Sequence, residues 1–293
     1  DFYRIFYVPV NATISIAGDI NIEDTKKWVA KYFGTMPKGQ AINLFRDFEE
    51  MDDKAFVAKY AVSKDKFDAN NFMKSKDKAA AALLSKYANT PIEIPRPEKV
   101  TEKLDGVIKD VVYDNIQLPA IFMSYQFPEN THKDMYALEM MNEVLSGGAS
   151  SRINKTLVER KQMASFAFSF AYGLEDAGLG IFAAIAAKDK SLDDIQTEFD
   201  AQIELIKNEL ITQEEFEKIR NQFENQFISS NASIAGIAEN LADNHVYSGG
   251  AEKINTELAN YLSVTREDIQ RVAKKYLTQD ARIILHYLPI ESK

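Results

Sequence analysis

The sequence has no cysteine, which excludes disulfides, thiolate metal sites and cysteine nucleophiles. Glycine (12) and proline (8) are scarce among 293 residues, which excludes collagen-like and linker-like chains. No apolar run approaches the roughly 20 residues that cross a bilayer, so no membrane-spanning helix is expected. Positive charge is in deficit: 35 Lys and Arg stand against 44 Asp and Glu, a net charge of −9. Nucleic-acid binding wants a basic surface, so a nucleic-acid partner is not expected. Histidine is scarce as well. His132, His245 and His286 are the three present, and none has a second histidine or a carboxylate at metal-ligand spacing. Neither H-E-x-x-H nor H-x-x-E-H occurs, so no zinc site can be built on local evidence. Structural roles are expected instead, at a helix start, near a helix end and within a strand.

What is present is an ordinary globular composition, 45% hydrophobic and 27% charged, long enough for one large domain or two smaller ones. The chain opens on Asp1-Phe2-Tyr3-Arg4, which is neither an initiator nor a signal peptide. Any targeting segment is expected to lie upstream. Residues 12–16 are β-branched and predict a short strand, turned by Gly18-Asp19. Asn21, with Asp24 three residues on, predicts the capped start of a helix that Gly34 ends and Pro37 keeps from resuming. Residues 41–105 carry mixed-charge stretches around Lys64 and Lys74, a short helix near 79–87, and Pro91, Pro95 and Pro97. This region is expected to be a partly helical connection between two globular units, or else an insertion within one domain.

From residue 107 the periodicity sharpens. Strands are predicted at 107–113 and 120–126, and an apolar, buried helix at 133–145. Ser146-Gly147-Gly148-Ala149-Ser150-Ser151 breaks that helix, and a second one runs to about Gln162. Strands follow at 165–172 and 180–187. Leu192, Ile195, Phe199, Ile203, Ile206 and Leu210 form an amphipathic stripe. Thr212 with Glu215 and Thr265 with Asp268 open further helices, and a strand at 281–288 closes the chain. The fold class expected is α+β, a mainly antiparallel sheet with helices on one face. An internal echo adds to this: 268–285 and 1–16 superimpose with a two-residue gap. The first forty residues therefore read as the strand and helix that end a preceding, homologous domain. The division expected is 1–40, 41–105 and 106–293.

Local chemistry is thin. Glu139 and Glu143 share a helix face at i, i+4 and could hold a metal or a proton, but such pairs are usually solvated. No G-x-S-x-G elbow surrounds a serine, and Ser150-Ser151 has no local base. Ser146-Gly147-Gly148 lacks the residues that complete a phosphate loop, so it reads as a turn. By residue chemistry alone the chain has no catalytic constellation.

Two blocks carry a resemblance. The first is Phe2-Tyr3-x-x-Phe6-Tyr7-x-Pro9-x-Asn11-Ala12-Thr13, followed by Ala17-Gly18-Asp19 and Tyr32-Phe33-Gly34. The second is Gln117-Leu118-Pro119, Asp134-x-Tyr136-Ala137-Leu138 and Ser146-Gly147-Gly148-Ala149-Ser150-Ser151-Arg152. In this order they resemble the pitrilysin/insulinase (inverzincin) family of zinc peptidases, to which mitochondrial processing peptidase belongs. The resemblance covers about three quarters of the chain and leaves out 40–105.

The resemblance implies a clamshell of homologous halves, each of two similar α+β domains. It also implies zinc held in the first domain by H-x-x-E-H plus a downstream glutamate, with a peptide substrate lying along a sheet edge near it. The ligands would lie upstream of Asp1, so zinc is expected in the parent enzyme and not in this chain. The implied partners are an upstream zinc-bearing domain or partner subunit and a peptide. Gly147, Gly148, Ser150, Ser151 and Arg152 are expected near the chamber or substrate. In the half opposite the zinc, the family places an arginine and, seven residues on, a tyrosine that position the substrate carbonyl. Val158 and Ser165 occupy those positions here, a degenerate pair. The chain is thus read as a non-ligand-bearing portion of a zinc metalloendopeptidase, or as an inactive companion subunit or structural assembly protein of the same family. A bacterial, periplasmic or exported setting follows only from family habit.

Overall fold

The computed structural model describes residues 6–7, 9–34, 36, 40–68, 75–90, 98–99 and 103–290. The expectations that involve residues 1–4, Pro37, Lys74, Pro91, Pro95 and Pro97 fall outside them. The chain divides into two compact units, Asp1–Glu98 and Lys99–Lys293.

In the first unit, the helix predicted after Asn21 forms as α1 (Ile22–Phe33), with the Asn21 side chain accepting from the Asp24 amide. None of its residues is buried, and Ile22, Trp28, Tyr32 and Phe33 face solvent. The β-branched segment 12–16 does not form a strand. A strand exists only through a ladder with a neighbour, and β propensity alone does not supply one. Residues 41–105 hold more than the connection expected. Helices α2 (Gln40–Glu50), α3 (Asp53–Tyr60) and α4 (Lys78–Asn89) bury Leu44, Phe56, Tyr60, Val62, Phe67, Ala80 and Leu84 in a small core of their own. Asp47, buried beside it, accepts from the Tyr60 hydroxyl at 2.6 Å and from Lys59.

The second unit is built on a five-stranded sheet in the order β1-β5-β2-β4-β3. Its strands are β1 (Ile108–Asp114), β2 (Ala120–Phe127), β3 (Ala164–Gly173), β4 (Gly178–Ala186) and β5 (Ile283–Pro289). All pairings are antiparallel except β1 with β5, which run parallel from Ile108↔Ile283. A parallel pair needs a long crossover, and here the rest of the unit supplies it. Helices α5 (Asp134–Ser146), α6 (Leu192–Asn208), α7 (Gln213–Ser230), α8 (Ile234–Tyr247), α9 (Glu257–Ser263) and α10 (Arg266–Tyr276) complete it. The α+β class read from the sequence is the class observed.

Alternation along β2 buries Ile121, Met123, Tyr125 and Phe127 and leaves Phe122 and Gln126 outside. The buried set meets Leu138, Met141, Phe199, Ile203 and Val272 from α5, α6 and α10. The other face of the sheet stays open and apolar. Phe122, Phe166, Phe170, Tyr172, Leu179 and Ile185 are all exposed, and the rings of Phe166, Phe168, Phe170 and Tyr172 touch in sequence along edge strand β3 at 5.3, 5.8 and 6.3 Å. Asp134 pins α5 to α10: buried in the first turn of α5, it accepts from Arg271 at 2.9 Å, Lys275 at 2.8 Å and the Tyr276 hydroxyl at 2.9 Å. Burial alone would raise its pKa, but the bonds from Lys275, Arg271 and Tyr276 overcome this and hold the carboxyl well below the usual range.

Candidate functional site

The turn after α5 is where the sequence places its site residues, and its geometry follows from two glycines. Gly147 caps α5, its amide donating to the Glu143 carbonyl at 2.7 Å. Gly148 sits at φ +82, in the left-handed region, with open space where a side chain would go. Backbone conformation rather than crowding therefore asks for glycine there. Ser151 is buried at 3% exposure, and its hydroxyl has no hydrogen-bond partner. Ser150, exposed, accepts from Lys218 of α7.

Arg152 makes the strongest contact of the turn. Its Nε and Nη2 donate to the two oxygens of Glu215, each at 2.9 Å. Glu215 is also the third residue of the Thr212 capping box, so one carboxylate joins the turn to the start of α7. The Arg152 bond, followed by burial that opposes it and by the Thr212 amide, brings the Glu215 pKa down to about 2. A depressed carboxylate stabilises the fold above its unfolded value, and that contribution is lost as pH falls from about 4.5 towards about 2. Arg152→Ala should cost about 1–2 kcal/mol at pH 7 after allowance for partial exposure. The deficit should shrink below pH ~4 as wild type loses the same interaction. Urea unfolding at pH 7 and pH 3 checks this, and a deficit independent of pH would contradict it.

Val158 and Ser165 meet different environments. Val158 lies in a π-helical segment, Asn154–Arg160, and packs against the core. Ser165 is exposed at a bulge of β3, between Ala164, which faces Ala186, and Phe166, which faces Ile185. Its hydroxyl donates to the Ile185 carbonyl at 3.3 Å. Neither offers a guanidinium or a phenol to a substrate.

A polar cluster that sequence reasoning undervalued lies along α5. Glu139 is not the solvated partner of an i, i+4 pair. It is partly buried and accepts from the Tyr261 hydroxyl of α9. Burial raises its pKa, the Tyr261 bond opposes this, and the charge of Glu257 adds to it. Asn142, one turn on, is buried with its Nδ2 donating to the Leu138 carbonyl at 2.9 Å. Glu139, Asn142 and Glu143 stand at the same spacing as the three residues of an H-x-x-E-H motif, with no imidazole among them.

That donor set does not fit zinc. Among the described residues no three His, Cys, Asp or Glu converge on one point. His132 uses its Nδ1 to accept from the Asp134 amide at 3.0 Å, a helix-start role, and His245 and His286 lie on α8 and β5. No helix among the described residues is long and apolar enough to cross a membrane.

The fold defines a class, an α+β unit with a mainly antiparallel five-stranded sheet and helices packed on it. Comparison with known proteins supplies the family. Residues 1–223 match the family model described as the Peptidase M16 inactive domain, and the chain belongs to that family. The resemblance to pitrilysin/insulinase-type peptidases is thereby borne out. The chain is 25% identical over 287 residues to the zinc protease PqqE of Helicobacter pylori, covering 97% of this chain and 53% of that protein. The crystal structure of a protease from Helicobacter pylori superimposes with a TM-score of 0.75 at 24% identity, over 98% of this chain and 58% of the other. A peptidase M16 inactive domain from Pseudomonas fluorescens superimposes at 0.59 and 17% identity, over 73% and 50%. The chain spans about half the length of the curated relatives it matches.

Proposed function

We propose that this chain is the non-ligand-bearing part of a zinc metalloendopeptidase, forming a wall of an enclosed chamber and supporting a zinc-bearing domain or partner subunit. The observation that carries this reading is the open apolar face of the sheet, ending at edge strand β3 with Phe166, Phe168, Phe170 and Tyr172 in a row. A soluble chain rarely exposes so continuous an apolar surface unless another protein surface or an extended peptide covers it. An edge strand also offers unpaired backbone groups to such a peptide. The turn of Gly147, Gly148, Ser150, Ser151 and Arg152 lies near substrate in this reading, and zinc belongs to the parent enzyme, held outside this chain. Enclosure favours catalysis by excluding water and by holding an extended substrate against the metal.

The test is to assay this chain, the upstream piece and their mixture on an unstructured peptide, with and without a chelator. The chain alone should be inactive, including as the Val158→Arg, Ser165→Tyr double variant, because those side chains stabilise a carbonyl that a metal has already polarised. The mixture should cleave, and the chelator should abolish cleavage. Chelator-sensitive hydrolysis by this chain alone would overturn the placement of the ligands. Full activity of the upstream piece alone would remove the role in the chamber.

A further inference from the structure

A cavity of ≈ 390 Å³ opens between α5, α7, α9 and β3. Its only charged lining residues are acidic, Glu139 and Glu143. Two further side chains line it while more than nine-tenths buried and without a hydrogen-bond partner for one polar atom: Asn142 at 4% exposure and Ser169 at 7%. The orientation of Asn142 follows from its network. Only the amide nitrogen can donate to the Leu138 carbonyl, so the unpartnered atom is the acceptor Oδ1. Phe223 and Tyr261, stacked at 4.6 Å and 25°, give the cavity an aromatic wall.

We propose that this cavity is a binding site for an organic cation, an alkyl guanidinium or ammonium group such as the side chain of a basic residue. Of the polar groups that line it, the carboxylates of Glu139 and Glu143 and the carbonyl of Asn142 accept only, the Ser146 and Ser169 hydroxyls and the Gln226 amide can accept as well, and the Tyr261 hydroxyl already donates to Glu139. A ligand that satisfies them must bring N–H donors, and one that compensates the carboxylates must bring positive charge. Anions are repelled. A bare metal ion is a poorer occupant, because no three metal-ligating side chains converge among the described residues and the space far exceeds one ion. Water could satisfy Asn142 and Ser169 but leaves the partly buried Glu139 uncompensated. A planar guanidinium would also lie against the aromatic wall. On the far side of Glu139 and Tyr261 a second cavity carries Glu257, with Lys133 and Lys253. Those lysines place the cation on the α7 side. The inference rests on this cavity and not on the chamber reading, since it is measured as binding without peptidase activity.

The test is an NMR titration of the whole chain with N-acetyl-arginine amide, N-acetyl-lysine amide and the neutral isostere N-acetyl-citrulline amide. Saturable shifts at residues 139, 169, 223 and 261 are expected with the two cations and not with citrulline. Glu139→Gln should weaken arginine binding about tenfold, the equivalent of one charge-assisted bond. Glu143→Gln, at the solvent side, should weaken it less, and it carries the test if Glu139→Gln does not fold. Comparing putrescine with a peptide bearing one interior arginine separates a free amine from a polypeptide as the source. Equal shifts with citrulline, shifts with calcium or magnesium in place of the organic cations, or affinity unchanged in both variants would overturn the assignment.

Discussion

Asp200→Ala is expected to lower the stability of the second unit by about 3–5 kcal/mol, a large share of the ~5–15 kcal/mol that folded domains possess. Arg282 is the reason. It sits just before β5 at 5% exposure, with Nη2 donating to Asp200 at 2.9 Å and Nη1 donating to Asp200 and to the Tyr125 hydroxyl, the latter at 3.0 Å. Its Nε already lacks a partner. Remove the Asp200 carboxylate and a guanidinium that cannot shed its proton stays buried against one neutral phenol. That phenol does not ionise to replace the lost charge, since burial pushes the Tyr125 pKa up to about 12, against the opposing charge and bond of Arg282. Replacing both members, as Asp200→Leu with Arg282→Met, should cost less than Asp200→Ala alone, because no uncompensated charge remains. Urea denaturation of the three proteins decides it. A single variant within 1 kcal/mol of wild type would show that water reaches Arg282.

Such a pair marks the limit of what the sequence makes legible. Elements after residue 107 announce themselves because each has one face on a large core: strand β2 alternates, and α6 repeats its apolar residues at three and four. Capping residues such as Thr212 and Thr265 are legible for the same local reason. Asp134 with Arg271, Arg152 with Glu215 and Arg282 with Asp200 are not, since their partners lie far along the chain and only the folded sheet brings them together. The helices α8 and α9 also escape a periodicity reading, because neither buries a single residue fully. Residues 12–16 mislead in the opposite way: their β-branched composition is genuine, but no ladder partner is present among the described residues. At the candidate site the glycine turn after α5 could be read directly, as the break between two helices. The Glu139 cavity could not, because a carboxylate one turn from another on a helix looks solvated until Tyr261, far along the chain, is placed over it.

Phe56→Ala should have the other large effect, the loss of α2, α3 and α4 as a folded cluster. Phe56 is fully buried, and its ring lies 5.9 Å from Phe48, 5.9 Å from Phe67 and 4.8 Å from Tyr60. Truncating a buried phenylalanine costs about 3–5 kcal/mol through lost transfer energy and the cavity left behind. A core as small as this one, with seven buried apolar side chains among the described residues, supplies about that much in total. The substitution therefore removes most of the margin rather than a fraction of it. Phe199→Ala in the second unit makes the comparison fair. That ring is equally buried and packs edge-on to Phe182 at 5.8 Å, but it belongs to a core several times larger. The same loss there should lower the unfolding midpoint and leave the sheet folded. Amide exchange reads both outcomes. In Phe56→Ala, protection should vanish for residues 44–60 and 79–87 while the strands of the sheet keep theirs, whereas Phe199→Ala should show native protection with a lower global stability. Retained protection of α2–α4 in Phe56→Ala would mean that these helices draw their stability from something other than their own core.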